Sequence, residues 1–209
     1  PQSAQVVFLA AQAAADSQIE TQVRRHLRKG ATLILTPAFL RRTSSWAAAL
    51  SGAVSSGTTA LGRVKESQAS EPATVEIEAG LRSTGAEVLM EVDHNSERAP
   101  LLMRRRIGGG TILVLNIRTF DDADYRGSGE WLLPPLQLGW SQPPQPLVDA
   151  LRAHLTAPLD MDLRAPVGVL LSLRGKEQFL YNSNDRSVWI GFAGKRRRMP
   201  PHSCAWLTR

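Results

Sequence analysis

Residues 5–37 read QVVFLAAQAAADSQIETQVRRHLRKGATLILTP, and this stretch decides the fold class. Val6-Val7-Phe8-Leu9-Ala10 is a short unbroken apolar run, the pattern of a strand buried on both faces. Asp16 or Ser17 supplies a helix cap, and Ile19, Val23 and Leu27 then fall on one face of a helix over residues 18–29. Arg24, Arg25, Arg28 and Lys29 take the polar face, and those near its end suit the helix dipole. Gly30 is suited to the left-handed residue that follows a helix. Ala31–Thr36 is a second buried strand, stopped by Pro37. A crossover of helical length predicts that the two strands run parallel, joined by a right-handed connection.

Outward from this unit, Phe39-Leu40 through Trp46 and Leu50 predicts a helix ending near Gly52. Residues 51–74 are rich in Ser, Thr, Gly and Ala and read as a loop holding at most one short edge strand. Strands are expected over 73–79, 87–92, 100–106 and 111–117, the last two flanking a tight hairpin at Ile107-Gly108-Gly109-Gly110. Residues 120–146 hold two tryptophans and five prolines, and a loop of that length points to function or an interface. Residues 146–155 carry a helical stripe of Leu147, Val148, Leu151 and Leu155. Four short strand-like runs follow at 167–173, 177–182, 187–192 and 204–207, with turns at 174–176 and 182–186. The pattern predicts an α/β domain over 1–157, a mainly parallel sheet with flanking helices. A small antiparallel β-domain over 158–209 follows, too small to stand well alone.

Composition narrows the functional classes. The 209 residues hold 25 Lys plus Arg against 19 Asp plus Glu, a net charge of +6. Residues 158–209 alone carry nine basic and four acidic side chains, chiefly through Lys195-Arg196-Arg197-Arg198. With Gly194 before it and Met199-Pro200-Pro201 after it, this cluster reads as a solvated hairpin tip. A nucleic-acid surface asks for a broader basic face with interleaved aromatics, so nucleic acid is not the expected partner. The alternative keeps the cluster as a binder of anionic polymer through counterion release. The one cysteine, Cys204, excludes an intrachain disulfide and a Cys-rich zinc site. No apolar run approaches the ~20 residues of a membrane span, so no membrane contact is expected. The first residues lack the basic segment of an intact secretory signal, which leaves cytoplasmic and exported locations both open.

The residues that carry chemistry form no recognisable catalytic set. His26, His94, His154 and His202 match neither HExxH nor zinc-finger spacing. Gly108-Gly109-Gly110 lacks the Lys-Ser/Thr of a phosphate loop. Asp121-Asp122-x-Asp124 with Gly127 sketches a calcium loop, but Arg126 and Leu133 stand where oxygen ligands are wanted. No metal and no cofactor are therefore expected. Asp121, Asp122 and Asp124 with His94 lie near predicted strand ends, where α/β folds place sites, and are the candidates for a stand-alone hydrolase. Trp131 and Trp140 are the candidates for sugar contact or for an interface, because aromatic faces stack on sugar C–H surfaces and anchor interfaces.

A family resemblance runs through these same segments. The first strand, the helix ending Arg28-Lys29-Gly30 and Ala31-Thr32-Leu33-Ile34-Leu35-Thr36-Pro37 resemble a segment of class I glutamine-amidotransferase-like domains. Ala99–Gly110 followed by Thr111–Ile117 resembles the hairpin of that fold, in the version found as the trimerisation domain of family 42 β-galactosidases. Phe179-Leu180-Tyr181-Asn182, with Asp185, Ser187 and Val188, is similar to a strand pair of the small β-domain that follows in those enzymes. Met199-Pro200-Pro201-His202 through Leu207 resembles its closing strand. Ala31 replaces the second glycine of the family's pair, and the amidotransferase cysteine nucleophile has no counterpart. The resemblance implies a flavodoxin/amidotransferase-like domain followed by a small β-sandwich, acting as a non-catalytic accessory portion of a glycoside-hydrolase-like protein. It further implies a homo-oligomer or a catalytic barrel supplied from elsewhere, and carbohydrate as a ligand. The chain opens almost directly on a strand, as a piece of a longer protein would.

Overall fold

A computed structural model describes residues 4–64, 73–117, 143–157, 160–174 and 177–207. The chain divides into two compact units, Pro1–Ser141 and Gln142–Arg209.

In the first unit β1 (Val6–Leu9) and β2 (Thr32–Leu35) pair in parallel around α1 (Ile19–Arg28). Val23 and Leu27 face the core from α1, as their spacing predicts. Asp16 does not cap α1 directly. Its carboxylate accepts the Gln18 N–H at 2.8 Å and the Gln22 side-chain amide at 2.9 Å, one step before the first turn. Gly30, at φ +81°, turns the chain into β2. Pro37 both stops β2 and opens α2 (Pro37–Arg42), and the Thr36 hydroxyl accepts the Phe39 N–H. The expected single helix is broken at Thr43, whose hydroxyl donates to the Phe39 carbonyl at 2.7 Å. A second helix, α3 (Ser44–Ser51), follows and ends at Gly52, φ +65°.

Seven strands then complete one sheet in the order β1-β2-β9-β8-β7-β4-β5. Its further members are β4 (Thr59–Val64), β5 (Ala73–Glu78), β7 (Glu87–His94), β8 (Glu97–Ile107) and β9 (Gly110–Leu115). A short pair, β3 (Ala53–Val54) and β6 (Arg82–Ser83), lies outside it. The sheet is mixed rather than mainly parallel. β1, β2 and β9 are parallel, and every pairing beyond β9 is antiparallel. Parallel neighbours need a crossover, and among the described residues no helix lies between Gly52 and Ile107, so the strands there pair with their neighbours antiparallel. The hairpin at Gly108 and Gly109, φ +57° and +88°, forms as expected. The stretch 51–74 departs from expectation, because β4 is a six-residue strand between β7 and β5 rather than an edge. The core gathers Leu27, Leu33, Leu35, Phe39, Met103, Ile112 and Val114.

The second unit begins with α4 (Gln145–Thr156), a helix the sequence pattern assigns to the first domain. Arg152 ties it to the strands that follow. Its guanidinium donates to the Ala165, Pro166 and Val169 carbonyls, the last two at 3.1 and 2.9 Å. Gln145 adds bonds to Ala165 O and Val167 N–H. Two antiparallel sheets follow. One contains β10 (Leu163–Arg164), β13 (Val188–Phe192) and β14 (Lys195–Met199). The other contains β11 (Val169–Arg174), β12 (Glu177–Asn182) and β15 (Cys204–Leu207). Leu163, Val169, Leu180, Val188, Ile190, Met199 and Ala205 form their shared core. Lys195–Arg198 is not a hairpin tip but most of strand β14. The tip is Ala193-Gly194, both at positive φ.

Asn182 locks this unit. Its side chain is fully buried. Its amide donates to Pro200 O at 2.7 Å, Arg186 O at 3.1 Å and Met199 O at 3.4 Å, and its oxygen accepts from Asn184 N and Nδ2.

Candidate functional site

In the first unit the carboxyl ends of the parallel strands are where an α/β sheet would hold a ligand. Here Thr36 follows β2 and Asn116 follows β9, and both are fully buried. Asn116 donates to Glu78 O at 3.1 Å and Pro100 O at 2.6 Å, and accepts the Glu78 N–H at 2.9 Å. The Glu78 carboxylate, only 4% exposed as a residue, is bonded by the Arg41 guanidinium and the Ser55 hydroxyl. The cluster joins α2, the segment after β3, β5 and the end of β9. The Glu78 carboxylate and the Asn116 amide are bonded within the cluster and to backbone, so these two buried groups act as a structural clasp whose cation, Arg41, reaches in from the surface. Sequence reading did not single out Arg41, Glu78 or Asn116, because residues 41, 78 and 116 share no spacing that marks them.

His94 ends β7, with Nδ1 3.0 Å from the Leu61 carbonyl and Nε2 3.1 Å from the Asn95 amide nitrogen. A carbonyl only accepts, so Nδ1 carries the proton in this contact and Nε2 receives the amide hydrogen. The other candidates named from sequence, Asp121, Asp122, Asp124, Trp131 and Trp140, lie outside the described residues. Among the described residues no group of three His, Cys, Asp or Glu side chains is placed to hold a metal ion. No helix among them is long and apolar enough to cross a membrane. His26 is buried in the first unit. That burial, with Arg25 and Lys29 beside it, holds its pKa below the ordinary 6.5.

The second unit carries a groove of about 770 Å³ between α4 and the outer face of the β10–β13–β14 sheet. Strand register explains its composition. Residues directly opposite on paired strands share a face. Trp189 faces Arg198, Gly191 faces Arg196, and Arg164 faces Gly191, so three arginines and one indole stand on one surface. Val188 and Ile190 point the other way into the core, which leaves Trp189 53% exposed. The Arg196 guanidinium carbon lies 4.6 Å from the centroid of the Trp189 ring, a cation–π stack. Gly191 has no side chain and forms a low floor between Arg164 and Arg196. On the helix wall Gln145 donates to Asp149 at 2.8 Å, and beside the sheet Asp162, just before β10, accepts from Arg164 Nε at 3.4 Å. The arrangement offers a flat apolar platform, guanidinium forks for oxyanions and carboxylates for hydroxyl groups. The alternation Val188-Trp189-Ile190 before a basic run is the sequence signal that marks Trp189 as outward-facing.

No family model matches the chain, and no curated protein matches it. Solved structures do. A β-galactosidase from the haloarchaeon Halorubrum lacusprofundi superposes with a TM-score of 0.53 at 15% identity, covering 99% of this chain and 32% of that one. The β-galactosidase of Rahnella sp. R3 gives 0.53 at 14% identity, covering 98% and 32%. A GH42 β-galactosidase from G. stearothermophilus gives 0.51 at 10% identity, covering 97% and 31%. This chain therefore spans about a third of the length of the structures it resembles, and it shares the fold of a portion of GH42 β-galactosidases.

Proposed function

We propose that this chain is the non-catalytic accessory portion of a glycoside-hydrolase-like protein. The first unit is an amidotransferase-like domain whose work is assembly into an oligomer, and the catalytic carboxylates come from another domain or another chain. Trp131 and Trp140 contribute sugar or subunit contacts. One observation supports this reading above the rest: the likeness covers nearly the whole chain, yet only about a third of each β-galactosidase. The pairing of Glu78 with Arg41 in a closed clasp agrees with an end of the sheet that is structural rather than reactive.

The test is the mass of the native protein from its source, by intact mass spectrometry and light scattering, beside a glycoside screen of the purified chain. The expected result is a larger polypeptide, or an assembly of several chains, and no turnover by the isolated 209 residues. A lone monomeric chain of 22.8 kDa would overturn the assembly role. Glycoside turnover abolished by Asp122→Asn would replace it with a hydrolase working through the Asp121, Asp122 and Asp124 segment.

A further inference from the structure

We propose that the groove over the β10–β13–β14 sheet binds an acidic polysaccharide, with a sugar ring against Trp189 and uronate carboxylates in the forks of Arg164 and Arg196. The proposal rests on residues other than Trp131 and Trp140, and it stands whether the chain acts alone or beside a catalytic domain.

The argument begins with the indole. Strand alternation holds Trp189 outward, with half its surface in water at the floor of the groove. Arg196 stacks on it, and a stacked guanidinium keeps its N–H groups in plane and free to donate at the edge. Arg164 stands on the other side of Gly191, about two strand spacings or ~9.6 Å across the sheet from Arg196. The glycine leaves the space between the two forks open at the floor. Arg198 extends the basic row alongside Trp189. Arg164 is shared with Asp162, 3.4 Å from its Nε, and its terminal nitrogens are the ones left to a ligand. Among the described residues no carboxylate pairs with Lys195, Arg197 or Arg198.

The carboxylates of the groove decide between classes of polyanion. Asp149 and Asp162 line the same groove. These carboxylates repel any anionic group that comes close, so the ligand must turn hydroxyl donors toward them and keep its charges over the arginines; a sugar ring bearing one carboxylate and several hydroxyls does both. A single-stranded nucleic acid also wants successive stacking platforms, and among the described residues this surface offers one indole. An acidic glycan satisfies each element together: an apolar ring face for Trp189, hydroxyl donors for Asp149 and Asp162, and planar carboxylates for the arginine forks.

The test is titration of the full chain with polygalacturonate by calorimetry, with neutral galactan and a single-stranded DNA oligonucleotide as comparisons. The chain is expected to bind polygalacturonate, and to bind it roughly tenfold more weakly when salt rises from about 50 to 200 mM. Trp189→Ala and Arg196→Gln should each weaken binding about tenfold, while Trp206→Ala, on the other sheet, leaves it unchanged. Should Trp189→Ala unfold the unit, the exposed Arg196→Gln and Arg164→Gln substitutions carry the same test. No binding, equal binding of neutral galactan, or tighter binding of DNA would each overturn the proposal.

Discussion

Replacing Asn182 by alanine should open the second unit. The side chain is fully buried and makes bonds at 2.7 and 3.1 Å to Pro200 O and Arg186 O, and at 3.1 and 2.9 Å from Asn184. It thereby ties the turn after β12 to the segment between β14 and β15. Each such bond contributes about 0.5–1.5 kcal/mol net, and buried carbonyls left unpaired cost more, so the loss should be about 3–4 kcal/mol. A unit running from Gln142 to Arg209 is expected to be stable by only about 3–10 kcal/mol. The substitution therefore removes a third or more of what holds it. Hydrogen–deuterium exchange of peptides from β12 and β15 reads this directly, and their slowest amides should exchange about 100-fold faster or more. Peptides from β2 and β9 in the first unit serve as the internal reference. A change under tenfold, about 1.4 kcal/mol, would show that water or neighbouring groups replace Asn182 and that the clasp reasoning is wrong.

Three further outcomes are expected. Gly110→Ala would place a Cβ 2.7 to 2.9 Å from Ala31 O, Leu27 O and Leu27 Cα, which are backbone atoms of the α1–β2 connection and the end of α1. It should cost about 2–3 kcal/mol, read by calorimetry as a fall of roughly 5–10 °C in Tm, and an unchanged Tm would show that β9 can move away freely. Arg41→Met leaves the buried Glu78 carboxylate without its cation and should lower stability to urea by about 2 kcal/mol, with part restored by adding Glu78→Gln. His26 has a folded pKa below 6.5, so the unfolded chain takes up a proton first as pH falls. Stability is whole above 6.5 and declines below it, and His26→Gln should flatten that slope in urea midpoints measured from pH 7 to 5.

Much of the first unit was legible because its signals are local. The Val6–Leu9 and Thr32–Leu35 runs, the α1 stripe and the paired glycines at 108 and 109 each declare themselves within a few residues. The direction of the remaining strands was not legible, because hairpin and crossover differ in connections that Ser-, Thr- and Gly-rich segments disguise. β4 shows why: Gly62 sits in it as a strand residue because a Cβ would strike Val92 Cγ2 at 2.6 Å, a constraint from a strand thirty residues away. The α4 stripe names no partner; Arg152, reaching three carbonyls of the 165–169 segment, and Gln145, bonded to Ala165 and Val167, tie the helix to the second unit. The groove was half visible. The basic run was plain in the sequence, but Trp189 joins it only through the register Trp189↔Arg198 and Gly191↔Arg196.

The pairing of β2 with β9 bears on how the chain is made. Thr32–Leu35 is buried along its whole length, yet the strand that covers one of its edges comes roughly 80 residues later, at Thr111–Val114. At about 5–20 residues per second, a ribosome needs about 4–16 s to deliver that partner. For that interval the nascent chain presents an apolar strand with an open hydrogen-bonding edge. The β8–β9 hairpin, closed by two glycines, forms locally as soon as it is made and arrives as a ready template for β2. Chaperone dependence during synthesis of this unit should therefore concentrate on the interval between the emergence of β2 and that of the β8–β9 hairpin.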